Sequence, residues 1–184
     1  MIYAFLRRVI GRGLPRLYLR RKFTIRGESR VPRQGPLLVC SNHISNLDAA
    51  IVPAFLPRPD SWNMAKAEWF RSRVVGWLFS LYHAFPVVRH SPDRRSLRRA
   101  QAVLEQGQAL IVYPEGVRNS DGRLTRAEAG AGFLARLNET AVQPLALVGS
   151  ERCLPKGAWW PRRHPVEMRW GTPLRINQRL PGGG

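Results

Sequence analysis

Asn42-His43-Ile44-Ser45-Asn46-Leu47-Asp48 stands between two apolar runs. Leu37 to Cys40 before it reads as a buried strand, and Ala49 to Leu56 after it as a helix or its first turns. A histidine therefore falls where a strand gives way to a helix, with a carboxylate five positions on. Within a regular helix that spacing separates two side chains, because neighbours come at three and four. His43 and Asp48 meet only if His43 lies in the turn and Asp48 near the helix start. Asp48 would then hold one imidazole nitrogen and leave the other free to take a proton from a hydroxyl. The same heptapeptide also reads as a loose capping box, Ser45-x-x-Asp48, in which Asp48 only satisfies backbone donors. Taken alone, the stretch leaves both readings open.

The composition narrows the classes. The chain has 184 residues, enough for one domain with a substantial core, and its apolar fraction of 44% is that of a globular protein. Thirty basic against twelve acidic residues give a net charge of +18, which points to a polyanionic partner, either nucleic acid or an anionic membrane surface. Cys40 and Cys153 lie far apart and no secretory signal is visible, so both thiols are expected reduced and the chain intracellular. No pair of cysteines or histidines has zinc spacing, so no metal is expected. No apolar run reaches the roughly 20 residues of a membrane-spanning helix. If the protein works at a membrane, it is expected to lie on it.

Met1 to Arg33 carry ten basic residues and one acid, Glu28. Tyr3, Leu6, Ile10, Leu14 and Leu17 recur at helical spacing among arginines, a basic amphipathic pattern interrupted by Gly11, Gly13 and Pro15. Residues 1–22 are accordingly expected to form a membrane-associating segment, 23–180 the main domain and 181–184 a disordered tail. Phe23 to Arg26 reads as a short strand. Beyond the heptapeptide, Trp62 to Ala67 reads as extended or irregular, and Glu68 to Tyr82 as a helix. Phe85 to Val88 reads as a strand ended by Arg89. A helix from Ser91-Pro92 to Gln106 follows, then a strand Ala109 to Tyr113 ended by Pro114-Glu115-Gly116-Val117-Arg118. A helix is expected over Thr125 to Thr140, a strand over Val142 to Val148 ended by Gly149-Ser150-Glu151, and an alternating strand over Val166 to Trp170.

Strands alternating with helices indicate a single α/β domain with a mostly parallel, mixed sheet flanked by helices, and continuously apolar strands indicate a sheet covered on both faces. Sites in such sheets gather outside the carboxyl ends of the strands. Those ends deliver His43 with Asp48, then Arg89, then Glu115 with Arg118. That convergence favours the catalytic over the capping reading.

The same residues resemble the glycerolipid acyltransferase superfamily, most closely the bacterial lysophosphatidic acid (1-acylglycerol-3-phosphate) acyltransferases. The Asn-His-x-x-x-x-Asp block is matched by Asn42, His43 and Asp48. A Phe-Pro-Glu-Gly-Thr-Arg-Ser block is similar to Tyr113 through Asn119, with Val117 and Asn119 as departures. A strand ending in Arg is similar to Phe85 to Arg89, where Val88 departs, and an apolar strand through a Pro to Val142-Gln143-Pro144-Leu145. Ala65-Lys66-Ala67-Glu68 is similar to a further stretch. The resemblance spans roughly Phe23 to Ile176. It implies acyl transfer from a thioester, either acyl-CoA or acyl carrier protein, to the sn-2 hydroxyl of lysophosphatidic acid or another lysolipid.

On that reading His43 is the general base and Asp48 its orienter. Asn42, Arg89, Glu115, Gly116 and Arg118 are substrate-binding. The guanidinium groups suit a phosphate, Glu115 would hold a glycerol hydroxyl or orient an arginine, and Gly116 admits close backbone approach. Backbone N–H groups near His43 are candidate oxyanion donors. No cofactor is expected beyond the acyl donor, and no nucleic acid. The expected location is the cytoplasmic face of the cell membrane, peripheral or monotopic. Two other classes compete: a nucleic-acid-binding module, for which no recognised signature is present, and an enzyme with Cys40 or a serine as nucleophile, for which no Gly-x-Ser-x-Gly elbow exists.

Overall fold

Four consecutive apolar residues, Leu37, Leu38, Val39 and Cys40, occur because the strand they build is covered on both sides. In the computed structural model, which describes residues 22–81, 83–88, 93–119, 124–136, 140–155, 157–158 and 160–176, this strand is β2 (Leu37–Ser41). Alternate side chains face opposite ways along it. Leu37 and Val39 enter one hydrophobic cluster with Ile51, Val52 and Phe55 of α1 (Asp48–Phe55). Leu38 and Cys40 enter the other, with Ala100, Val103 and Leu104 of α3 (Arg94–Glu105) and Leu134 of α4 (Ala129–Ala135). The remaining strands are β1 (Phe23–Arg26), β3 (Ser61–Lys66), β4 (Ala84–Val87), β5 (Ala109–Val112), β6 (Ala141–Val148) and β7 (Val166–Trp170). Helix α2 (Arg73–Leu81) joins β3 to β4, and α5 (Ser150–Cys153) follows β6.

The seven strands form one sheet in the order β1-β7-β6-β2-β5-β3-β4. β6, β2, β5, β3 and β4 run parallel, while β7 pairs antiparallel with β6 and parallel with β1. The expected single α/β domain with a mostly parallel mixed sheet is therefore the observed one. The chain leaves β2 towards β3 and β4, then returns through β5, which lies beside β2, and crosses to β6 on its other side. The carboxyl ends of β2, β5 and β6 are thereby made neighbours. Two prolines lie within the strands. Pro86 sits in the edge strand β4, and Pro144 precedes the first β6–β7 pair, Leu145 with Trp170.

Three of the expected helices differ from the sequence expectation by more than one residue. The helix expected over Glu68 to Tyr82 is a 3-10 segment, Ala67–Arg71, followed by α2. Ser72 breaks it with an extended backbone, and its hydroxyl accepts the Val75 N–H at 3.4 Å. The helix expected over Thr125 to Thr140 shortens to α4, because Glu115 and the Pro114 carbonyl hold Thr125 and Glu128 in an extended run. Helix α3 starts at Arg94 rather than at the expected Pro92, with Asp93 accepting the N–H groups of Arg95 and Ser96, each at 3.1 Å. Residues 1–21, Arg89 and the 181–184 tail lie outside the described residues.

At the amino ends of the strands, Arg58 is buried (2% exposed) and paired with Asp60. It also donates to the carbonyls of Gly35 (2.7 Å) and Gly107 (2.8 Å), so one guanidinium ties the turns before β2 and β5 together. Arg58→Met would remove the guanidinium that the two carbonyls and Asp60 share. A loss of about 2–4 kcal/mol of unfolding free energy in urea denaturation is expected, the denaturant slope being retained.

Candidate active site

Past Ser41 the chain turns, and the turn is organised by one carboxylate. Asp48 is fully buried at the start of α1. Its Oδ2 accepts the Ile44 and Ser45 N–H groups at 2.8 Å each and faces His43 Nδ1 at 3.1 Å. Its Oδ1 accepts the Ser150 hydroxyl at 2.6 Å. The capping role and the imidazole-holding role thus fall on one oxygen. An ionised carboxylate only accepts, so Nδ1 carries the proton and Nε2 presents a lone pair.

His43 is 7% exposed, and its ring stacks on Tyr113 with centroids 4.2 Å apart and planes inclined by 24°. The loop after β5 closes over the turn. The His43 N–H donates to Glu115 Oε1 at 3.3 Å, and the Asn119 N–H donates to the His43 carbonyl at 2.8 Å. Burial pushes the Tyr113 phenol well above its ordinary range, and the nearby Asp48 charge adds to the effect. The phenol therefore stays neutral and leaves the local charge to Asp48.

His43 lines a cavity of about 450 Å3 whose walls are mostly apolar. Met64, Val87 and Val112 contribute from the ends of β3, β4 and β5, Leu97 from α3 and Leu134 from α4. Such a space suits an aliphatic chain, with the imidazole at one boundary. Among the described residues, no group of three or more His, Cys, Asp or Glu side chains is gathered as a metal site would require.

The sequence-predicted residues divide by what they touch. His43 and Asp48 meet as expected. Gly116 lines the cavity at φ +68°, a left-handed backbone that disfavours a side chain, and a Cβ there would press Glu128 Cγ at 3.2 Å. Arg118 is exposed, one residue before the Asn119 clamp. Arg89 lies outside the described residues.

Three expectations need correction. Asn42 does not face the cavity. Its amide donates to the Leu147 carbonyl at 2.9 Å and accepts the Leu147 N–H at 2.7 Å, extending the β2–β6 ladder with a side chain. Glu115 meets no arginine among the described residues. Besides the His43 N–H it accepts the Thr125 N–H (3.3 Å) and hydroxyl (2.9 Å), because a buried carboxylate is stable only when donors surround it. The N–H groups of His43, Ile44 and Ser45 are all engaged by carboxylates and are not free oxyanion donors.

Ser150 and Thr125 were missed. Ser150 follows Gly149, the residue after β6, whose backbone is at φ +87° and where a Cβ would collide with the Pro165 carbonyl. The missed signal was the rule that a polar residue closing an inner strand belongs to the same rim as the others. Cys40 packs into the cluster under α3 and α4, and burial pushes its thiol up to about 11.

A profile of the family described as Acyltransferase matches residues 22–148, which includes the turn, the cavity strands and β6. The chain belongs to the acyltransferase family. It is 30% identical over 141 residues to the chloroplastic 1-acyl-sn-glycerol-3-phosphate acyltransferase LPAT1 of Arabidopsis thaliana, a match spanning 74% of this chain and 39% of that protein. It is 29% identical over 126 residues to the 1-acyl-sn-glycerol-3-phosphate acyltransferase of Streptococcus pneumoniae, spanning 67% of this chain and 45% of that one. The match thus spans less than half the length of either relative. The fold is shared with the crystal structure of the 1-acyl-sn-glycerophosphate (LPA) acyltransferase PlsC from Thermotoga maritima, with a TM-score of 0.72 at 22% identity over 88% of this chain and 64% of that chain.

Two outcomes are expected of this geometry. Asp48→Ala leaves four donors unpaired and should lower unfolding free energy by about 3 kcal/mol or more, and Ser150→Ala by about 1–2 kcal/mol. The double variant should fall short of the sum by about 1 kcal/mol in urea denaturation. Cys40 should alkylate slowly at pH 8, where about one molecule in a thousand carries the thiolate. Its rate, followed by mass spectrometry, should climb about tenfold per pH unit below 11.

Proposed function

We propose that this chain moves a fatty acyl group from an acyl thioester to the sn-2 hydroxyl of lysophosphatidic acid, giving phosphatidic acid. The observation that carries the reading is His43, held by Asp48 through Nδ1 at 3.1 Å, at the boundary of an apolar cavity. The names of the relatives supply the acceptor.

The chemistry follows from the residues. An alcohol attacks a thioester poorly while it keeps its proton. His43 Nε2 takes that proton as the oxygen–carbonyl bond forms, a contribution of about 10²–10⁴-fold. The imidazolium that results lies beside the Asp48 carboxylate, whose charge stabilises it without accepting the proton. Collapse of the tetrahedral intermediate breaks the carbon–sulfur bond. The departing thiolate then recovers the proton from His43, so acid and base are the same ring and no covalent acyl-enzyme forms. The raised Cys40 thiol is in keeping with that direct route, since a neutral thiol is a poor nucleophile. The cavity walls would hold the acyl chain. Arg118, exposed on the loop that clamps the His43 turn, would meet the acceptor phosphate together with Arg89.

The test is incubation of the purified chain with labelled acyl-CoA, or separately labelled acyl carrier protein, and lysophosphatidic acid, followed by lipid separation. Labelled phosphatidic acid is expected from one donor or both. His43→Ala should lose about 10²-fold or more in turnover while circular dichroism still shows a folded chain, with a lowered unfolding midpoint because Asp48 loses a donor; turnover near the wild-type rate would remove the base assignment. Arg118→Ala should mainly raise KM for the phosphorylated acceptor. An equal loss with a monoacylglycerol, which lacks the phosphate, would refute the phosphate role.

A further inference from the structure

The β3–β4 connection exposes more large apolar surface than a connection on a solvated face needs. In the 3-10 segment Trp69 is 53% exposed, and on α2 Val74 and Trp77 are 68% and 61% exposed. These are held on a common platform rather than on a loose loop. Trp69 and Phe70 pack on Phe79 with ring centroids 6.2 and 5.7 Å apart, and the Gly76 N–H closes the first turn of α2 on the Ser72 carbonyl at 2.8 Å. Single exposed apolar residues are ordinary; three within nine positions are not.

We propose that the face formed by Ala67–Arg71 and α2 is a docking surface for an anionic lipid bilayer. Charge selects this occupant. Arg71 and Arg73 are exposed beside the tryptophans, and the exposed Glu68 is paired with Lys66 at 3.0 Å. From Trp69 to Pro92 the sequence contains no acid. Two copies of this face meeting about a two-fold axis would set arginines against arginines with only Glu68, already paired with Lys66, to offset them. A nucleic acid would use the tryptophans and arginines but has no partner for Val74. An anionic bilayer uses all of them: indole rings settle at the headgroup level, an aliphatic side chain enters the acyl boundary, and guanidinium groups meet the phosphates.

Position gives the surface its purpose. The 3-10 segment and α2 both pack against β4, and the carboxyl end of that edge strand, Val87 and Val88, lines the cavity that contains His43. A bilayer seated on α2 lies beside the strand that borders the cavity, so a single-chain lipid has a short path to it. This purpose rests on the acyl-transfer reading, whereas the docking does not, and the two fail separately.

The experiment is flotation of the full chain with vesicles of phosphatidylcholine alone or with about one third phosphatidylglycerol, without substrate. Trp69→Ala/Trp77→Ala should lower the partition coefficient by about tenfold or more on both vesicles. Arg71→Gln/Arg73→Gln, a surface change that leaves the platform packing untouched, should lower it by about 30-fold on the anionic vesicles at low salt and little on the neutral ones. Circular dichroism melts should match wild type for the arginine pair. Unchanged partition in the arginine variant overturns the proposal. So does a lipid-free dimer, or tight oligonucleotide binding, that either variant abolishes while vesicle binding persists. Wild-type flotation without any product from either acyl-CoA or acyl carrier protein and a short-chain lysophosphatidic acid below its micellar concentration would end the acyl-transfer reading and leave the docking surface standing.

Discussion

The buried carboxylate of Asp48 is the constraint on which the site depends. A charge removed from water is tolerated only if donors replace the water, and here four do so: two backbone N–H groups, the Nδ1 side of an imidazole and a hydroxyl. Each donor comes with a structural obligation. The N–H groups of Ile44 and Ser45 fix the turn that leaves β2, His43 is fixed in ring orientation and tautomer, and Ser150 fixes the start of α5 against α1. A group that holds one imidazole so fully also has little freedom to move, which is the preorganisation that proton transfer requires.

Glu115 repeats the arrangement one strand over. It is buried, acceptor-only and surrounded by donors from two segments, the His43 turn and Thr125. The two carboxylates therefore work as knots between loops. The net charge of +18 resides elsewhere, on surfaces such as the arginines around α2. The cavity wall is mostly apolar, so the chain keeps most of its basic charge off that wall and on its exterior.

Much of this was legible in the residues. Runs such as Leu37 to Cys40 and Ala109 to Val112 announced strands buried on both faces, and the strand–helix alternation announced the parallel sheet. The pairing of His43 with Asp48 was legible because it is local: once a turn and a helix start are granted, five residues leave few other geometries. What failed were decisions made by distant atoms. The helix expected from Thr125 is cut short by Glu115, ten residues earlier in the chain and on another element. Asn42 reads as a ligand in a linear motif, yet β6, brought alongside β2 by the crossover, claims its amide. Local propensity yields to such contacts because a buried donor or acceptor left unpaired costs more than a few turns of helix gain.

The residues alone determined the chemistry available, since only the side chains can say that an imidazole and a carboxylate stand at a strand-to-helix turn and that the flanking strands are apolar throughout. The tertiary structure decided which groups remain free to use that chemistry. Ser150 and Glu115 are 102 positions from Asp48 and 72 from His43, and no periodicity or spacing rule reaches that far. The order of strands brings them together, and strand order is fixed by the packing of α1 on one face and α3 with α4 on the other, a property of the whole sheet rather than of any stretch within it.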